Sequence, residues 1–100
     1  MFIQTEFTPN PLTMKFIPGV TVMETGTAFY TSAADAKQSP LAVELFRISG
    51  VTAIFLGSDF ITVTRSEDEP WDMLKPLLLT SIMDHFVAGK PVILAGGTAV

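Results

Sequence analysis

The chain has 100 residues, of which 48% are apolar, 16% charged and 10% aromatic, a composition typical of one compact domain and unlike that of disordered or fibrous segments. Ten acidic against six basic side chains give a net charge of -4, which opposes binding to phosphate backbones, so nucleic acid is not an expected partner. With no cysteine in the chain, disulfides, thiolate-held clusters, catalytic thiols and most structural zinc sites are excluded together, because each needs the sulfur.

Phe2 to Phe7 reads as a strand, ended by Thr8-Pro9-Asn10-Pro11, whose prolines cannot donate to a sheet ladder and whose asparagine suits a turn. Thr13 to Ile17 alternates as a second strand, and the short loop between the two predicts an antiparallel hairpin. Pro18-Gly19 breaks it. Val20 to Thr31 predicts an irregular connection with a short strand around Thr27–Tyr30. Ser39-Pro40 is a helix start, a capping hydroxyl followed by a proline at the first position, where its missing N–H is not needed. Leu41, Leu45 and Ile48 recur at helical spacing until Gly50, which predicts a helix over Pro40–Ile48.

Val51 to Leu56 is an apolar, β-rich run, Gly57-Ser58-Asp59 supplies a turn, and Phe60 to Thr64 alternates strictly. Ile61 and Val63 are expected to face the helices and Thr62 and Thr64 to face out, as when one side of an antiparallel sheet is covered. Acidic Glu67-Asp68-Glu69 suits the positive end of a following helix. In that helix Leu74, Leu78, Ile82 and Phe86 repeat every four residues, and Leu79 and Met83 widen the stripe. Because Pro76 costs a backbone bond, regular helix is expected over Met73–Val87, with Trp71 and Asp72 in a lead-in turn. The Gly96-Gly97 tail reads as the onset of a linker.

These elements predict an α+β domain of two layers, a mainly antiparallel sheet packed against two helices. Its expected core contains Phe16, Leu41, Leu45, Ile48, Phe55, Ile61, Val63, Leu78, Ile82 and Phe86. No apolar run approaches the roughly 20 residues that span a bilayer, and Met1 to Glu6 carries no signal-peptide pattern. The expectation is a cytoplasmic protein that begins at its native start and makes no membrane contact.

Catalytic patterns are missing. Glu67, Asp68, Glu69 and Asp72 lack the alternating ligands and central glycine of a calcium loop, and Gly96-Gly97 and Pro18-Gly19 match no nucleotide-binding glycine pattern. Ser39 reads as a cap and not a nucleophile. His85, the single histidine, would need further donors to bind a metal, and only carboxylates are on offer; its plainer reading is a rim residue with one hydrogen bond. The remaining polar features are Thr8, Pro9, Asn10, Pro11, Lys15, Ser58 and Asp59, carried on loops and a strand face. Their plain reading is turn chemistry; as functional residues they suit contact with a protein partner better than catalysis.

The same features carry a resemblance. Thr8-Pro9-Asn10-Pro11 followed by Thr13-Met14-Lys15-Phe16 resembles the opening of the N-terminal domain of NifU-like (Nfu) iron-sulfur scaffold proteins. In order, Ser39-Pro40-Leu41-Ala42, Leu45-Phe46, Ile48-x-Gly50-Val51, Gly57-x-Asp59 through Thr64, Trp71, Leu74-Lys75-Pro76 and Ile82-x-x-His85-Phe86 are similar to that family as well. The resemblance covers residues 2 to 90 and rests on the ordered series.

What it implies is an Nfu N-terminal-type domain over residues 1–90 and, over 91–100, the start of a linker to a C-terminal domain absent from these residues. In the family that second domain carries a Cys-x-x-Cys pair through which two subunits hold a bridging [4Fe-4S] cluster. The implied role here is accessory and non-enzymatic: docking of iron-sulfur client proteins or assembly factors, without cluster ligation or any cofactor of its own. The alternative is an independent small-ligand or iron-binding domain using His85 and carboxylates.

Overall fold

The computed structural model describes residues 2–94. Five strands and two helices follow in the order β1 (Gln4–Phe7), β2 (Thr13–Ile17), β3 (Ala28–Tyr30), α1 (Pro40–Phe46), β4 (Val51–Leu56), β5 (Ile61–Arg65) and α2 (Trp71–Val87). The sheet runs β1-β2-β5-β4-β3, and every neighbouring pair is antiparallel. This is the expected two-layer α+β architecture. The hairpin β4–β5 forms the centre, with β2 beside β5 and the short β1 and β3 at the edges.

Register decides which side chains are buried. Ile54 and Leu56 pair with Val63 and Ile61, which pair in turn with Met14 and Phe16. All six are buried against Leu41, Ala42 and Leu45 of α1 and Leu74, Leu78 and Ile82 of α2. Ile61 and Val63 thus face the helices as their alternation predicts, and Thr62 takes the other face. Phe55 corrects an expectation. It pairs with Thr62 on that opposite face, because Val51–Leu56 is apolar at almost every position and gives no parity of its own. Ile48 and Phe86 lie half-buried at the margin of the core.

α1 starts as expected, with the Ser39 hydroxyl accepting the Ala42 N–H at 3.1 Å and Pro40 at the first position. It ends earlier, at Phe46, and a turn through Gly50 at φ +99° leads into β4. α2 starts two residues before the expected Met73. The Pro70 carbonyl accepts the N–H groups of Met73 and Leu74 at 3.1 and 3.2 Å. Trp71 anchors this first turn, its Nε1–H donating to the Pro11 carbonyl at 3.0 Å and its ring lying under the Arg65 guanidinium at 5.6 Å. These tertiary contacts offset the bond that Pro76 removes.

Residues 91 to 94 lie against the body of the domain: Val92 and Ile93 pack on the core, and the Leu94 N–H reaches the Gln38 carbonyl at 2.7 Å. Gly96-Gly97, where a linker is expected to begin, falls outside the described residues.

Candidate partner-binding surface

The loop between β1 and β2 is built by its own side chains. Thr8 Oγ1 donates to the carbonyl of Asn10 or of Thr13, each 2.9 Å away, and Asn10 Oδ1 accepts the Leu12 N–H at 2.9 Å, an Asx turn. The indole of Trp71 holds Pro11, so this loop sits at the N-terminal end of α2. The Gly57-Ser58-Asp59 turn lies elsewhere. It precedes Ile61, which pairs with Phe16, whereas Thr13 beside the first loop pairs with Thr64. The two loops therefore occupy opposite ends of the sheet, about 15 Å apart along β5.

The backbone of the 57–59 turn is also occupied: Ser58 O accepts the Val22 N–H at 2.7 Å, and the Phe60 ring lies where a side chain on residue 57 would stand. Lys15 is near this turn on the open face, its ammonium 4.6 Å from the centre of the Phe60 ring, which stacks on Phe55 at 5.8 Å. The seven residues expected to contact partners thus fall into two groups. Thr8, Pro9, Asn10 and Pro11 are at one end; Lys15, Ser58 and Asp59 are toward the other.

Beside the first group lies a groove of about 350 Å³ between the hairpin and α2, lined by Phe7, Met14, Trp71, Asp72, Lys75, Pro76 and Leu79. Phe7 stands at its lip, 78% exposed. Pro76 has no N–H to give the Asp72 carbonyl four residues earlier, so that oxygen is left without its helical donor on the groove wall. From there an apolar surface continues along the outward side of α2, where Met73, Leu77 and Val87 are 64%, 53% and 71% exposed. Sequence reasoning passed over Phe7, Met73 and Leu77, taking them as parts of a strand and a helix. The available signal was the helix itself: its polar side chains are Asp72, Lys75, Thr80, Ser81, Asp84 and His85, and apolar residues stand on every side between them.

His85 corrects another expectation. It is not a rim residue but lies in the interior, 3% exposed, with Nε2 3.0 Å from the Pro91 carbonyl and Nδ1 buried without a partner. Burial lowers its pKa from the ordinary value, and Lys90 acts in the same direction; the Pro91 and Lys90 carbonyls and Glu44 act against them. Glu44, Asp84 and His85 border one small cavity of about 200 Å³. Yet among the described residues no group of three or more histidine and carboxylate side chains converges so as to hold a metal ion. With no cysteine in the chain, the donors of a thiolate-held iron-sulfur cluster are not present here either.

A family model described as the N-terminal part of the scaffold protein Nfu/NifU matches residues 3–89. The chain belongs to this Nfu/NifU N-terminal family. It is 52% identical over 94 residues to the human NFU1 iron-sulfur cluster scaffold homolog, a mitochondrial protein, covering 93% of this chain and 37% of that one. It is 48% identical over 94 residues to NifU-like protein 4 of Arabidopsis thaliana, also mitochondrial, covering 94% of this chain and 33% of the relative. An Nfu N-terminal domain of this kind thus spans about a third of the length of these relatives.

Solved structures agree in fold. A NifU-like protein from Saccharomyces cerevisiae superimposes with a TM-score of 0.80 at 23% identity, over 92% of this chain and 83% of that one. A Staphylococcus aureus crystal structure gives 0.72 at 28% identity, over 82% and 99%. The expected cytoplasmic location is overturned, because the relatives are mitochondrial proteins. A targeting leader is separable from the domain it delivers, so a domain's composition does not record its compartment. Among the described residues no helix is long and apolar enough to cross a membrane.

Proposed function

We propose that this domain is the accessory, partner-docking part of an iron-sulfur cluster scaffold or carrier. It is non-enzymatic and does not itself ligate the cluster; its partners are client proteins or assembly factors. The observation that carries the reading is the combination of Nfu/NifU membership with a cysteine-free sequence, on a domain that exposes a groove and an apolar helix face. Family chemistry needs thiolates, and this domain has none to contribute. Its exposed apolar surface has the character of a contact site. The cargo, a [4Fe-4S] cluster, is then held by a Cys-x-x-Cys pair in a C-terminal domain beyond residue 100, to which residues 91–100 lead.

Two measurements test this. The encoded sequence after Val100 is expected to contain a Cys-x-x-Cys within the next hundred or so residues. In the full-length protein, deletion of residues 1–90 is expected to slow cluster transfer to some clients while leaving cluster assembly on the remainder intact. Unchanged transfer to every client would refute the docking role.

A further inference from the structure

We propose that the groove beside Phe7 and the outward face of α2 form one docking surface, and that its occupant is a basic amphipathic helix of a partner protein. The proposal rests on the docking role above and names its surface and the chemistry of its partner. Leu74, Leu78 and Ile82 bury one side of α2, while Met73, Leu77, Met83 and Val87 line the other side and are exposed. A helix apolar on both sides has its second side uncovered here. Spaced four apart at 73/77 and 83/87, these side chains form two apolar pairs about 21 Å from end to end, with exposed Thr80 between them, a length that suits the apolar anchors of a helix laid along it. Methionines at two of the four positions let the surface adapt to the side chains it meets.

Charge selects the occupant. Asp72 and Asp84 are exposed on α2, and Glu67 and Asp68 are exposed in the loop before it, with Lys75 the one basic residue on the groove wall. Such a surface attracts Lys and Arg flanking an apolar stripe. A second copy of this chain fits less well, since pairing α2 with itself would set two acidic residues of α2, Asp72 and Asp84, from each copy against a single cation, Lys75, from each. The free edge of β1 is only four residues long, too short to account for a surface that extends to Val87.

Trp71 is the only tryptophan and lines the groove, so its fluorescence reports occupancy. The probe is a capped peptide of about 18 residues with Leu at helical spacing and Lys elsewhere, titrated into the 100-residue chain; its counterpart carries Glu in place of Lys. The Lys peptide is expected to shift Trp71 emission saturably and to bind at least tenfold more tightly than the Glu peptide, and a tenfold rise in ionic strength is expected to weaken it. Leu77→Asp and, separately, Asp84→Lys are each expected to weaken binding severalfold, with circular dichroism and Tm reporting an intact fold. Should Leu77→Asp unfold the chain, Leu77→Ser takes its place.

Equal binding of the two peptides, or binding indifferent to residues 77 and 84, overturns the proposal. Self-association of the chain that Leu77→Asp abolishes, without peptide binding, also overturns it and assigns the face to a second copy. In the full-length protein the two readings separate: if deleting residues 1–90 slows transfer but Leu77→Asp does not, docking stands and this surface falls.

Discussion

Leu77 and Leu78 are adjacent in sequence and lie on opposite sides of α2, and truncating each to alanine tests the placement of that helix directly. Leu78 is fully buried and Leu77 is 53% exposed. Leu78→Ala removes buried carbons and leaves a cavity between α2 and the sheet, at a cost of about 2.7 to 5 kcal/mol. For a domain of this size the unfolding entropy is about 0.21 kcal/mol/K, so a loss of about 3 to 4 kcal/mol lowers Tm by about 15 to 20 °C. At Leu77 about half of the side chain already meets water, no cavity forms, and alanine is the better helix former; the net cost is below about 1 kcal/mol. Urea titration followed by circular dichroism measures both, with the slope m expected to be unchanged. Comparable losses in the two variants would refute the reasoning, because they would mean that the outward face of α2 is already covered.

Three further outcomes are expected. Ser39→Ala deletes the hydroxyl that caps α1 and is expected to cost about 1 kcal/mol in the same titration, with Ser39→Gly closer to wild type. Gly50→Ala combines a φ of +99° with a Cβ that would stand 2.7 Å from the Glu69 Cβ, so its loss should exceed about 1 kcal/mol and appear as a lower Tm. Because the folded state holds the His85 pKa below its ordinary value of 6.5, the unfolded chain binds the proton more readily. His85 therefore contributes stability that is present above about pH 6.5. That contribution is lost as pH falls through the folded-state value, and the acid loss should be smaller in His85→Gln, which keeps an N–H for the Pro91 carbonyl and does not titrate.

Legibility in the sequence followed the physics of each segment. Strict alternation over Phe60–Thr64 fixed which residues face the helices, since a period of two has one solution once one face is buried. Val51–Leu56 had no such contrast, and the position of Phe55 depends on pairing with Thr62, a contact 7 residues away in sequence that composition does not encode. The start of α2 is not legible locally, because Pro76 by itself argues for a later start. What holds the first turn is Trp71 reaching Pro11, a partner 60 residues away. The surface was harder to read. Thr8 to Pro11 and Ser58-Asp59 share turn chemistry, yet strand pairing sends them to opposite ends of the sheet. His85 read as a rim residue because the segment that covers it, Pro91 onward, lies beyond the helix and read as linker.

Stability gives no reason for the outward side of α2 to be apolar. Glu, Lys, Gln and Arg form helices about as well as Leu and Met, and at exposed positions they would improve solubility without loss of packing. Isolated exposed apolar residues are ordinary, but Met73, Leu77, Met83 and Val87 are aligned on one side of a single helix, and their stripe meets a groove with Phe7 at its lip. Alignment of this kind is the mark of a contact surface. It also accounts for a departure from helical periodicity: Leu74, Leu78 and Ile82 are buried as their spacing predicts, but Met83, expected to widen that stripe, is exposed, since a helix apolar toward both core and partner has little contrast left between its sides. Polar replacement at Leu77 distinguishes the two demands, since it spares the core demand and removes the other. A Leu77→Glu chain is expected to fold with stability within about 1 kcal/mol of wild type and to lose partner contact; loss of folding instead would show that the core, and no partner, requires the apolar side chain.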